Sequence, residues 1–261
     1  MLAELITSLI TPFPRIPRRM GLLHEQIAIR ARERRCRAQW AGHLAASRQA
    51  MLDAAGRCPA HGLCVVVGAG LCLDVPLVEL ARRFASVVLL DVGFLERSGP
   101  ANVRRVPWDA TNCMEAWFND PRMDESEAIN RAERDPGWPP GVGQPDLTIS
   151  ANIISQLDLL PGPWLSRKRW RHDDFRERLA IALATTHLRW LRRQPGAHLL
   201  IGDMRATLTS KDGSEVEERT LAPARVGLRE PDRAWDWDIA PIPEWNRRQH
   251  LRHRVGAWFE P

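Results

Sequence analysis

Two short, unbroken apolar runs constrain this chain more than any other feature. LCVVV (63–67) stops at Gly68-Ala69-Gly70, and SVVLLDV (86–92) follows after a helix-length amphipathic segment, VPLVELARRF (75–84). Strands that stay apolar without alternating are buried on both faces, as a parallel sheet covered by helices requires. Further strands are expected at VRRVPWD (103–109), DLTISANII (146–154) and GAHLLIGDM (196–204). Between them, 112–144 reads as a helix followed by a proline- and glycine-rich loop, and 173–193 as one long helix. AWDWDIAPI (234–242) and HLRHRVGAWF (250–259) are joined by too few residues for a helix, so they should pair antiparallel. The expected fold is α/β: a mostly parallel seven-stranded sheet between two helical layers, closed by an antiparallel C-terminal hairpin.

Ahead of this domain, set at 56–261, residues 1–55 form a proline-broken arm (1–19) and a helical lead-in. The lead-in pattern turns helical over about 22–55, with Ile27, Ile29, Trp40, Leu44, Met51 and Leu52 as apolar anchors. Between them sit Arg30, Arg32, Arg34, Arg35 and Arg37. Such a cluster can grip phosphate, nucleic acid or a carboxylate, or simply form a solvated face. Lys+Arg total 37, of which only Lys168 and Lys211 are lysine, and the net charge is +5. Arginines scattered through every segment point to composition bias, so an anionic partner is permitted but not demanded. The five cysteines are irregularly spaced with no CxxC pair, which predicts neither a zinc site nor a disulfide framework. No metal is expected. With no apolar run of about 18 residues, and with Arg15, Arg18 and Arg19 following rather than preceding the apolar 2–10 stretch, neither a membrane span nor a secretory signal is expected. The cytoplasm is the expected compartment.

Chemistry concentrates at strand ends. Gly68 and Gly70 allow positive φ and close approach of a ligand to the backbone. One βαβ step later Asp91 ends the second strand, where a carboxylate accepts both hydroxyls of a ribose. A tight turn and a capping Asp in a non-binding sheet would have the same sequence. A dinucleotide fingerprint would carry a third glycine where this chain has Leu73, and Asp74 adds negative charge near the helix start. Both disfavour a pyrophosphate and favour a cationic nucleoside.

On these residues the chain resembles the class I (Rossmann-like) S-adenosylmethionine-dependent methyltransferases, over roughly residues 43–259. VVVGAG resembles the family's first motif, with Gly68, Ala69 and Gly70. Asp91 and Val92 in VVLLDV resemble the ribose-binding segment. VPWDAT resembles the third motif, which implies Asp109 and Ala110 beside the adenine. SANIISQL resembles the fourth, which implies Asn152, Ile153 and Gln156 at the methyl-transfer mouth. The tail segments resemble the family's closing hairpin. The chain departs from the pattern at Val66, where the family often has an acid, and at Cys72, in a glycine position. The Asn/Asp-Pro-Pro-aromatic signature of amino-methyltransferases is replaced by SANI.

The resemblance implies S-adenosylmethionine as cofactor and methyl transfer to an unidentified acceptor, a small molecule before nucleic acid or protein. Asp158, His187 and Asp203 are candidate bases, as are His250 and His253, placed together on one strand face. Each has a bland alternative: Asp203 as the cap ending the fifth strand, His187 as a satisfied helix histidine. Trp164, Trp170, Trp235 and Trp237 can stack on a flat or cationic substrate, or pack. Two other readings stay open: a catalytically inactive binding or scaffold module of the same fold, and an NAD(P)-dependent oxidoreductase. With no tyrosine in the chain, an oxidoreductase relying on a Tyr–Lys pair is excluded.

Overall fold

The computed structural model describes residues 11–96, 98–120, 122–159, 161–168 and 174–260. Three helices lead: α1 (Arg15–Met20), α2 (Leu22–Arg35) and α3 (Arg37–Arg57). The helical stretch expected over 22–55 is two helices, which meet at Cys36. Gly21, at φ 98°, ends α1 in the left-handed region and donates its N–H to the Arg18 carbonyl.

Five parallel strands follow: β1 (Leu63–Val67), β2 (Ser86–Asp91), β3 (Val103–Pro107), β4 (Leu147–Ala151) and β5 (Ala197–Ser210). They lie in the order β3-β2-β1-β4-β5. Three more complete the sheet: β6 (Glu215–Thr220), β7 (Arg233–Ala240) and β8 (Gln249–Glu260). β8 runs antiparallel between β5 and β7, so the tail does form a hairpin at the sheet's edge. The sheet has eight strands rather than the expected seven. β5 does not stop near Asp203 but continues to Ser210, and β6 folds back on that outer half. Every residue of β6 is exposed, so no buried face marks it in the sequence.

The helices α4 (Leu77–Arg83), α5 (Met114–Asn119), α6 (Glu125–Ala132), α7 (Pro161–Lys168) and α8 (Phe175–Leu191) fill the connections. Thus 112–144 holds two short helices instead of one, and α7 occupies a stretch with no helical expectation. Alternate residues of the central strands feed two cores, as a pleated strand's two-residue repeat dictates. Cys64 and Val66 join Met51, Ala54 and Ala55 of α3 and Leu80 of α4. Val65 and Val67 join Trp117 of α5, Ala128 of α6, and Phe175, Leu179 and Trp190 of α8. The lead-in helix α3 is therefore one layer of the sandwich. Among the described residues no helix is long and apolar enough to cross a membrane.

β1 sits between β2 and β4, so the chain leaves it in opposite directions on its two sides. In open α/β sheets such a reversal marks the crevice, outside the carboxyl ends of the strands, where ligands bind; here that is the end of β1 and β4.

Candidate functional site

The crevice floor is the turn after β1. Gly68 (φ 78°) and Gly70 (φ 45°) both adopt left-handed backbone. A Cβ on Gly68 would fall 2.6 Å from Cβ of Ile153 and 3.0 Å from the Ala151 carbonyl oxygen, so this glycine lets the turn nest under the end of β4. The N–H groups of Gly68 and Ala69 donate to the Leu90 carbonyl at 2.9 and 3.3 Å, binding the turn to β2. Gly70 donates its N–H to Asp91 Oδ2 at 2.8 Å. Burial pushes the Asp91 carboxyl up to about 6, against backbone N–H groups of Gly70, Gly93 and Val92 that favour its ionised form. Val92 is half-buried beside it. α4 does not begin until Leu77. Between Gly70 and that helix lie Cys72, at φ 53°, and Asp74, whose carboxyl burial raises to about 6.

At the end of β3, Asp109 turns inward on its own backbone. One carboxylate oxygen accepts from the Thr111 N–H and hydroxyl, the other from the N–H groups of Cys113 and Met114. This caps the entry to α5. Ala110 is buried next to it. β4 ends at Ala151, short of the expected 154, because Asn152 takes a left-handed turn at φ 52°. The Asn152 N–H is held by the Ile201 carbonyl at 3.0 Å. Its side chain is buried, and Oδ1 finds no partner among the described residues. Gln156 is exposed.

The third part of the site joins residues that the sequence offers only separately. Asp203 lies inside β5 rather than at its end, at a register shift between Asp203 and Arg205. Its Oδ2 is 3.1 Å from His253 Nδ1 and accepts from the Ser155 hydroxyl at 3.2 Å, while Oδ1 is buried without a partner among the described residues. The side chains of Asp203 and His253 are only 4% and 13% exposed. Asp74 and His43 lie within electrostatic reach of Asp203. Burial holds His43 down at about 4, and its ring is therefore neutral at pH 7.

His250 and His253 do not share a strand face. Their partners are Thr209 and Ala206, and a separation of three residues puts them on opposite sides of the sheet. His187 sits in the core instead of the crevice. Its Nε2 is 2.8 Å from the Ser150 hydroxyl, and burial lowers its pKa to about 4. Asp158 lies in the turn after β4, its carboxyl raised by burial and lowered less by Arg176.

The tryptophans mostly pack. Trp237 stacks on His43 at 3.9 Å, Trp235 donates its indole N–H to His43 Nδ1 at 3.1 Å, and Trp164 lies 5.7 Å from Phe118. Trp170 lies outside the described residues. Four arginines of the lead-in cluster meet carboxylates: Arg30 with Glu96, Arg35 and Arg32 with Glu244, Arg37 with Glu33; Arg34 is exposed.

Gln26 was not legible as a site residue. It projects from α2 to the end of β2, where its Nε2 donates to the Gly93 carbonyl at 3.0 Å and lies 3.4 Å from Asp91 Oδ1. One glutamine in an arginine-rich helix carries no motif, and only its contacts with Asp91 and Gly93 reveal it. Among the described residues no group of three His, Cys, Asp or Glu is arranged to hold a metal ion. Comparison of the chain with protein-family models and with curated proteins found no match.

Proposed function

We propose that this chain is a Rossmann-like, S-adenosylmethionine-dependent methyltransferase acting on a small-molecule acceptor. One observation carries the proposal. Asp91, ending β2, is tied to the Gly70 N–H beside the crevice where strand order reverses. A carboxylate so placed suits the hydroxyl edge of a ribose.

The donor set fits a cationic nucleoside. Gly68, Ala69 and Gly70 offer bare backbone, Asp91 the ribose contact, and Val92, Ala110 and Ile153 apolar walls for an adenine. The buried Asn152 Oδ1 awaits a donor from a ligand. Asp74 and Asp203 make the crevice acidic, which suits a sulfonium and repels a pyrophosphate. The late start of α4 also withholds the helix N-terminus on which a dinucleotide's phosphates would rest. S-adenosylmethionine supplies an electrophilic methyl group when bound. The chain's own part is to hold the acceptor near the end of β4 and the middle of β5 and to take its proton. His253 suits that role, because the Asp203 carboxylate, 3.1 Å from its Nδ1, stabilises the ring once it has taken a proton. Because Arg30, Arg32 and Arg35 of α2 pair with glutamates, a small acceptor is favoured over nucleic acid. The cytoplasm is its setting, on the cysteine pattern of the sequence.

The test is titration calorimetry with S-adenosylhomocysteine, NAD and NADP. Wild type is expected to bind the first and neither dinucleotide, and Asp91→Ala to lose that binding while keeping its circular dichroism spectrum. Unchanged affinity in Asp91→Ala would overturn the assignment. Binding without turnover across acceptor panels would favour the inactive scaffold.

A further inference from the structure

The ribose end of the crevice is covered by the lead-in. Gln26 is only 9% exposed. Its amide has one orientation compatible with its neighbours, since the Gly93 carbonyl and the Asp91 carboxylate both accept, and so Nε2 faces them. Oε1 is then buried with no partner among the described residues. A buried acceptor left unpaired is costly, and here it stands at the carboxylate assigned to a ribose. Two further contacts hold the same segment down. The Phe13 ring lies so close to Gly93 that a Cβ there would be 2.5 Å from it, and Arg30 pairs with Glu96 at 3.3 Å.

We infer that Gln26 is a ligand-contacting residue of the nucleoside site, with Oε1 accepting one hydroxyl of the ribose while Asp91 accepts the other. The segment from Phe13 through α2 is then a strap that ligand binding fastens. This rests on the nucleoside assignment of Asp91 and adds to it a specificity for the vicinal diol: two acceptors, on separate elements, each matched to one hydroxyl.

The experiment compares S-adenosylhomocysteine with its 2′-deoxy and 3′-deoxy analogues on wild type and on Gln26→Met, which keeps side-chain length but replaces the amide with a thioether that donates nothing and accepts only weakly. In wild type, loss of either hydroxyl should weaken binding about tenfold. In Gln26→Met the parent ligand should weaken by a similar factor, and one of the two deoxy analogues should then bind as well as the parent. Equal deoxy penalties in both proteins, or full parent affinity in the variant, overturn the inference and leave the nucleoside assignment standing. If wild type binds no S-adenosylhomocysteine, the assignment itself falls, and the inference with it. Hydrogen exchange on wild type gives a readout that needs no variant. Ligand should slow exchange of α2 amides, and exchange there unaffected by a bound ligand counts against the strap.

Discussion

Asp91 is asked to be both buried and charged. Burial raises its carboxyl to about 6, while three backbone N–H groups keep it from rising further. A ribose hydroxyl donates best to the ionised form, so ligand affinity should follow its titration. Between pH 7 and pH 5 the ionised fraction falls about tenfold, and S-adenosylhomocysteine affinity measured by calorimetry should fall by the same factor. Asp74 also titrates near 6, so the two carboxyls must be told apart by substitution. Asp74→Asn should retain the pH dependence, whereas Asp91→Asn should bind weakly at every pH. A flat profile in wild type would remove Asp91 from the site. His253 and Asp203 belong to the other end of the crevice. His253→Asn should leave nucleoside affinity within about twofold while lowering turnover of a bound acceptor by about 10²–10⁴, the usual range for a lost general base.

At the scale of elements, legibility follows burial. β1 and β2 can be read from the sequence because each of their central residues faces one core or the other. β6 cannot, because six exposed residues held by one neighbour carry no hydrophobic pattern. The same continuation of β5 misplaces Asp203. The apolar run ends at Gly202, but strand pairing with β8 does not, so a residue expected to cap a strand lies inside one. Asp109 is legible as an acid at a strand end, yet not as a cap whose four bonds go to backbone N–H groups and a threonine just ahead of it. Pairings such as Asp203 with His253 or Gln26 with Asp91 depend on register and helix placement, which no local spacing encodes. Gly68 shows the opposite case, a residue whose role is legible and whose cause is not. Its positive φ is what the motif suggests, but the tighter constraint is Ile153, 2.6 Å from where a Cβ would sit. Gly68→Ala should therefore lower stability by about 1–3 kcal/mol, measured by urea unfolding. Loss of under about 0.5 kcal/mol would mean that β4's turn moves freely to make room.

Across the whole molecule, one seam joins the two ends of the chain. His43 of α3 stacks on Trp237 and accepts from Trp235, both in β7, nearly two hundred residues away in sequence. Trp40 packs edge-on to Trp237 from the next turn of the same helix. Helix and hairpin are thus bound through an imidazole that must stay neutral. Because its pKa is lowered from 6.5 to about 4 by burial, the folded state binds fewer protons than the unfolded chain between those values. Stability from this group is full above 6.5 and is lost as pH falls toward 4. Between pH 7 and pH 5 the loss is on the order of 2 kcal/mol. His187, lowered to about 4 in the opposite core, adds a contribution of the same sign. Asp74 and Asp91 oppose them. Their raised carboxyls give stability that is full below 3.8 and lost as pH rises through about 6, so acidification strengthens those sites. A pH scan of wild type alone therefore sums opposed contributions and assigns none of them. The variant His43→Phe separates them, since it retains a flat ring against Trp237 and removes the titration. Its urea unfolding free energy should fall by about 2 kcal/mol less than that of wild type between pH 7 and pH 5. If the two proteins lose stability in parallel, His43 is not the acid-sensitive link between lead-in and hairpin.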